Sequence, residues 1–350
     1  MRIRQQAVPL GALQRWIRDL DALDGNPLVL RVIDAVMRTV DDTAAPEHDM
    51  CPDVNESNGV RRHGSWSCLP PSGISLYEEI KRGTLVDPSR SEELRSRFKV
   101  VQETAGPNRL PPNLHPAILY SSTPNTVPLP PESTVVTSHS VPGLSNATFL
   151  SSILTHAECR QIISCAEAVG MLPDQPASGS AVTLASVLAH NFYWLADETF
   201  ISALFQRVKA HLPEIVQGGQ LRGLNRRFRL YRYTKEAVYR PHIDGAWPPS
   251  GIDAAGGYVY DASPPGKPQS SRYTFLIYLN DDFSCGETTF FTPSAKEGIL
   301  DVRPVRPIAG CALVFPHGDT IGSLVHMGSE VGATEEVKYI IRTDVVYDIV

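Results

Sequence analysis

From Phe228 to the C-terminus the apolar residues of this 350-residue chain come in short runs, each closed by Gly, Pro, Asn or Asp. The runs cover 228–233, 273–279, 288–292, 312–315 and 337–347. Segments of this length, punctuated this often, fit strands of an antiparallel sandwich or barrel and leave little room for helix. Two helices precede them. Thr155-His156-Ala157-Glu158 is a capping-box pattern that opens a helix with Cys159, Ile162, Ile163 and Ala166 on one face, and Gly170 is a natural stop. A second runs from Asp197 as N-cap through Phe200, Ile201, Leu204, Phe205 and Val208 to Pro213. The expected class is mainly β with flanking α-helices.

The first third reads differently. Leu10, Leu13, Trp16, Ile17, Leu20 and Leu23 recur at helical spacing, and the apolar stretch from Leu28 to Met37 could pack against them. Nine prolines between 106 and 143 favour an extended path over helix or central strand. Residues 1–134 are therefore expected to form a helical and Pro-rich extension, ahead of one domain over 135–350.

A net charge of −6 and a pI near 5.9 disfavour a partner held through counterion release, so nucleic acid is not expected. Cys51, Cys68, Cys159, Cys165, Cys285 and Cys311 are scattered without a C-x-x-C pair and read as reduced thiols. No apolar run approaches a membrane span, and no signal-peptide core follows Met1. A cytoplasmic protein without a membrane partner is the expectation.

His242-Ile243-Asp244 is an H-x-D whose two polar side chains share one face of an extended backbone. With ten histidines, roughly one chance H-x-D is expected in every two such chains, so the motif needs a third ligand. His326, at the end of a small apolar run, would complete a two-histidine, one-carboxylate set with open positions, as non-haem iron requires. His317 is a rival, and either could be a core histidine. Downstream, a strand would turn Lys338, Ile340, Arg342 and Asp344 to one face. Two cations on a buried face call for an anion, and a dicarboxylate cosubstrate would supply it; pairing at the barrel edge is the alternative.

Taken together, the blocks Tyr231 to Asp244, Thr274 to Asn280, Gly286 to Phe291, His326-Met327-Gly328 and Lys338-Tyr339 resemble the prolyl 4-hydroxylase-like branch of the iron(II)/2-oxoglutarate-dependent dioxygenases. The resemblance covers about 135–350 and implies a double-stranded β-helix, or jelly-roll, core. It implies His242, Asp244 and His326 as iron ligands, with 2-oxoglutarate and dioxygen as cosubstrates and ascorbate as a reductant. Lys338 corresponds to the residue that pairs with the distal carboxylate of 2-oxoglutarate, and Tyr233 to a tyrosine that hydrogen-bonds it. The His326–Lys338 interval is a little longer than in the nearest relatives, and Arg342 lies farther along the same face; Lys338 is favoured, with Arg342 as helper or substitute.

The implied activity couples decarboxylation of 2-oxoglutarate to succinate with oxidation of an unactivated C–H bond: hydroxylation, desaturation or ring closure. A small molecule, such as an amino acid or secondary-metabolite intermediate, is the expected substrate. A prolyl or other residue of a peptide is the alternative, and a metal-binding barrel without turnover a third. Trp247-Pro248-Pro249 and the Gly/Pro/Ser-rich stretch to Ser271 follow the metal motif where a covering loop would fall.

Overall fold

The computed structural model describes residues 33–35, 37–38, 55–57 and 60–350, except 74, 87, 132–133, 179–183, 185–187, 236 and 333–335. Eight strands make the core: β1 Arg227–Tyr233, β2 Tyr239–His242, β3 Gln269–Tyr278, β4 Thr288–Pro293, β5 Leu300–Val305, β6 Ala312–Pro316, β7 Val325–Gly328 and β8 Lys338–Asp348. They divide between two sheets, in the orders β1-β8-β3-β6 and β2-β7-β4-β5, with antiparallel neighbours throughout. Apart from the β4–β5 hairpin, each connection crosses from one sheet to the other. That winding is the double-stranded β-helix.

Side-chain alternation separates two cores. On β8, Tyr339, Ile341 and Val345 face outward with Phe275 and Ile277 of β3, and on this layer sit two helices, α1 His156–Val169 and α2 Glu198–Val208. Ile340 of β8 faces inward with Tyr231, Tyr233, Leu276, Tyr278, Phe290 and Phe315. Each large apolar side chain that leaves water here is worth about 1.5–3 kcal/mol, which fixes strand register because a one-residue slip would exchange the faces. The Thr155–Glu158 capping box forms, and Gly170 ends α1. Asp197 caps α2 through the Phe200 N–H at 3.1 Å. Gly310, at φ +75, turns the chain into β6; a Cβ there would lie 2.2 Å from the Leu154 carbonyl oxygen.

Both sheets continue past the core. Strand His190–Leu195 flanks β1, with Ala117–Ser122 and Phe98–Thr104 beyond it, while Leu144–Ser151 and Thr137–Val141 extend the β6 side. Val60–Arg62 runs parallel to β5, where Asp301, fully buried, takes Arg61 at 2.5 Å and Arg303 at 3.0 Å. Strands from both sides of position 134 thus share sheets. The helical spacing read over 10–23 lies outside the described residues; of the 28–37 stretch, residues 33–35 and 37 are helical, and Ile33 packs with Ile243, Phe291 and Val325 on the outer face of the smaller sheet. No helix among the described residues is long and apolar enough to cross a membrane.

Candidate metal and cosubstrate site

His242 ends β2 and lies opposite His326 of β7 in the ladder, so hydrogen bonding between two strands of the smaller sheet sets the imidazoles side by side. Their ring centroids are 4.3 Å apart. Ile243 points outward into the apolar cluster behind the sheet, and alternation returns Asp244 to the inside. Ligand-type atoms of His242, Asp244 and His326 all fall within 4.8 Å of one another, the one such grouping among the described residues. His242 Nε2 is 3.3 Å from Asp244 Oδ1, and His326 Nε2 is 3.5 Å from Asp244 Oδ2.

Backbone carbonyls orient both rings. His242 Nδ1 lies 2.6 Å from the Arg240 oxygen and His326 Nδ1 3.2 Å from the Leu324 oxygen. A carbonyl only accepts, so each Nδ1 carries the proton and each Nε2 offers its lone pair to the centre. Burial, with the neighbouring His242, pushes His326 down to about 3. Burial opposes ionisation of Asp244, but Arg342 and the two histidines outweigh it and hold the carboxyl well below its usual range. The site thus turns two imidazole Nε2 atoms and one carboxylate toward a common centre.

A directional relay stands behind that carboxylate. Thr274 Oγ1 donates to Asp244 Oδ2 at 2.7 Å, so it must accept from His317 Nδ1 at 2.8 Å. His317 Nε2 is then the acceptor for the Ser271 hydroxyl at 2.8 Å, and Ser271 Oγ receives the Trp247 N–H at 2.9 Å. Both His317 nitrogens are used and its ring is fully buried, with burial pushing it down to about 3. His317, the rival ligand, therefore supports Asp244 from behind. Its Thr274 partner had a sequence signal: it is the inward residue of β3 at the level of the metal motif.

A cavity open at one side runs inward from these groups, lined by Tyr231, Tyr233, Leu276, Thr288, Ile340 and Lys338 among others. Lys338 is wholly buried at its inner end. Its Nζ donates to the Gly286 oxygen at 2.7 Å and sits 4.6 Å from the Tyr233 ring centre, with no carboxylate partner among the described residues. Burial lowers it to about 7. The Tyr233 hydroxyl has no protein hydrogen-bond partner among the described residues; it passes so close to β7 that a Cβ on Gly328 would stand 3.1 Å away. Arg342 is differently placed. Its guanidinium lies 3.3 Å from Asp244 Oδ2, 3.1 Å from Asp344 Oδ1 and 3.1 Å from the Gly245 oxygen.

The segment after the metal motif is fastened to the barrel. Asn225 Nδ2 donates to the Pro248 oxygen at 2.9 Å, Ser271 N to the Trp247 oxygen at 2.8 Å and Ala262 N to the Pro249 oxygen at 2.7 Å, and Gly251–Ile252 pairs with Tyr258–Val259. Tyr278, Asn280 and Phe290, which belong to the sequence blocks that carry the resemblance, serve packing: Tyr278 donates to Thr288 at 2.9 Å, Asn280 bonds the backbone at Val337 and Tyr339, and Phe290 packs edge-on against Phe315.

No protein-family model matches the chain, and no curated protein is similar to it. Among solved structures, it is similar to the viral collagen prolyl hydroxylase of Paramecium bursaria Chlorella virus-1 in complex with 2-oxoglutarate, at 16% identity over 59% of this chain and 97% of that one, with a TM-score of 0.37. A Pseudomonas putida prolyl-4-hydroxylase is similar at 16% identity over 58% and 92%, TM-score 0.34. HygX of Streptomyces hygroscopicus, with nickel, 2-oxoglutarate and hygromycin B bound, is similar at 16% identity over 58% and 82%, TM-score 0.35.

Proposed function

We propose that the chain is an iron(II)- and 2-oxoglutarate-dependent oxygenase that oxidises a C–H bond of a small molecule. One observation carries the reading: a two-histidine, one-carboxylate donor set and a buried lysine without a carboxylate partner open into the same cavity. The donor set suits iron(II), since two neutral imidazoles and one carboxylate leave a positive centre with open positions. An unpaired buried ammonium is costly, and a carboxylate from a ligand relieves that cost.

His242, Asp244 and His326 would hold the metal, and Lys338 and Tyr233 the distal carboxylate of 2-oxoglutarate, with the Thr288 hydroxyl beside them. Arg342, already engaged by Asp244, Asp344 and the Gly245 oxygen, serves as an orienting group for the metal carboxylate. When bound, iron and its cosubstrates supply the oxidation: 2-oxoglutarate, dioxygen and R–H give succinate, carbon dioxide and R–OH, with ascorbate keeping the metal ferrous. The chain's own contribution is placement. The relay from Trp247 to Thr274 fixes one oxygen of Asp244, the strand ladder fixes the imidazoles, and Leu276 and Ile340 keep the cavity wall apolar between metal and lysine.

The test is anaerobic. Adding iron(II) and then 2-oxoglutarate to the purified protein is expected to produce the weak visible charge-transfer band of a chelated 2-oxo acid. His326→Ala should lose the band, and Lys338→Ala should need far more 2-oxoglutarate to reach it. A folded, metal-loaded wild type without the band would leave a barrel that binds metal without turnover.

A further inference from the structure

The inner face of β1 carries Arg227 and Arg229 ahead of Tyr231 and Tyr233. Strand alternation sends all four to one side; the two tyrosines line the cavity, as does Arg342, the cross-strand partner of Arg229, so the two arginines continue that wall beyond the lining, toward the mouth. Arg229 lies between aromatic rings, 4.9 Å from the centre of Tyr193 and 4.6 Å from that of Tyr231. In that position it holds a carboxylate: Nη2 is 2.6 Å from Asp174 Oδ2, whose other oxygen takes Arg109 at 2.9 Å. Arg227, one same-face step outward, is stacked in the same way, 5.0 Å from Tyr193 and 4.5 Å from Trp247. It is only partly buried; the Asp344 carboxylate acts on it through space, and no carboxylate among the described residues forms a direct ion pair with it.

Charge at the mouth is unbalanced. Four guanidiniums, Arg109, Arg227, Arg229 and Arg342, stand with three carboxylates, Asp174, Asp244 and Asp344, and of these Asp244 also belongs to the metal donor set. Stacking against a ring contributes roughly 0.5–1 kcal/mol at an exposed site and leaves the N–H edge of the guanidinium free. That edge presents parallel donors matched to two oxygens of a carboxylate. The backbone N–H of Trp247 also begins the relay that ends on Asp244, so the residue whose ring stacks on Arg227 is anchored to the metal donor set through its main chain.

We propose that the mouth of the cavity is a substrate subsite in which Arg227, stacked between Tyr193 and Trp247, binds a carboxylate of the molecule being oxidised. This names the substrate class for the oxygenase reading and rests on it: an organic acid, held by its anionic end outside the metal and presenting a C–H bond inward. It is distinct from the cosubstrate end, where Lys338 takes the other carboxylate.

The test uses the full-length protein, loaded anaerobically with iron(II) and saturating 2-oxoglutarate so that the Lys338 end is occupied. A graded panel of small acids, from 3-phenylpropionate to N-acetyl amino acids, is titrated beside the matching carboxamides by calorimetry. At least one acid is expected to bind about tenfold more tightly than its amide. Arg227→Gln should shrink that preference to about twofold or less, Arg227→Lys should keep part of it, and 2-oxoglutarate half-saturation should stay unchanged in both. Equal binding of every acid and amide by the wild type, or a preference that survives Arg227→Gln, overturns the subsite. The same titration in metal-free Lys338→Ala protein separates the two proposals: an Arg227-dependent preference there stands even if the charge-transfer band fails to appear.

Discussion

Lys338 and Arg342 lie four residues apart on one strand, face the same cavity and carry the same charge, yet their surroundings differ. Arg342 is bracketed by Asp244, Asp344 and a backbone oxygen. Lys338 has one carbonyl and the face of a tyrosine ring. A guanidinium with two carboxylates is a structural tie that holds whether or not anything enters the cavity. An ammonium buried without one costs stability, a cost that an anion entering the cavity would relieve.

Substitution is expected to separate the two most widely. Lys338→Met should raise the 2-oxoglutarate concentration needed for half-saturation by about a hundredfold or more, the value of a lost charge-assisted contact in a dry site, while melting at or above the wild-type temperature. Titration of the charge-transfer band and a thermal melt check both. Arg342→Gln should do the reverse: it strands two buried carboxylates, so the protein should lose about 3 kcal/mol in denaturant unfolding, with a smaller change in 2-oxoglutarate affinity. If Lys338→Met destabilises more than Arg342→Gln, the contrast fails.

Protons sharpen the same contrast. Burial lowers Lys338 from the ordinary 10.5 to about 7, so the folded protein binds fewer protons than the unfolded chain between those values. The linkage sign is therefore positive: without cosubstrate, stability should rise with pH across that window. Binding of a carboxylate needs the ammonium, so half-saturation by 2-oxoglutarate should climb above pH 7, by up to about tenfold per unit. Lys338→Met should flatten both trends, and Arg342, which keeps its proton, should contribute to neither. The smallest effect belongs to the relay. Thr274→Val removes the bond to Asp244 and leaves His317 Nδ1 without its partner, which should weaken metal binding about tenfold in a competitive chelator titration.

Much of the barrel was legible because its strands are short, apolar and cleanly punctuated. Residues 227–233, 269–278, 288–293, 312–316 and 338–348 fall where period-two runs predicted strands. The strand Leu300–Val305 was not read, since Asp301, Arg303 and Pro304 interrupt its apolar pattern; Arg61 and Arg303 neutralise the buried aspartate, a pairing no local rule reveals. Strand Phe98–Thr104 precedes the Pro-rich stretch expected to be extended and Ala117–Ser122 lies within it; the two pair with each other and join the sheet at the edge beside His190–Leu195. The segment after the metal motif was read as a possible cover. Bonds to Asn225 and Ser271 fasten its start to the barrel.

By itself the sequence determined what alternation along one strand can carry: His242 and Asp244 on a common face, Lys338 and Arg342 on another, and the capped helices that buttress the sheet. These follow from backbone periodicity and need no partner. Local pattern by itself left His317 beside His326 as the histidine that meets the H-x-D, and the fold separates them: a ladder between distant strands sets His326 opposite His242 and places His317 as a support behind Asp244. The fold also decided which cation meets carboxylates directly and which, among the described residues, meets only a backbone carbonyl and a ring. Whether a buried charge is satisfied depends on groups brought from elsewhere in the chain, and only the folded barrel brings them.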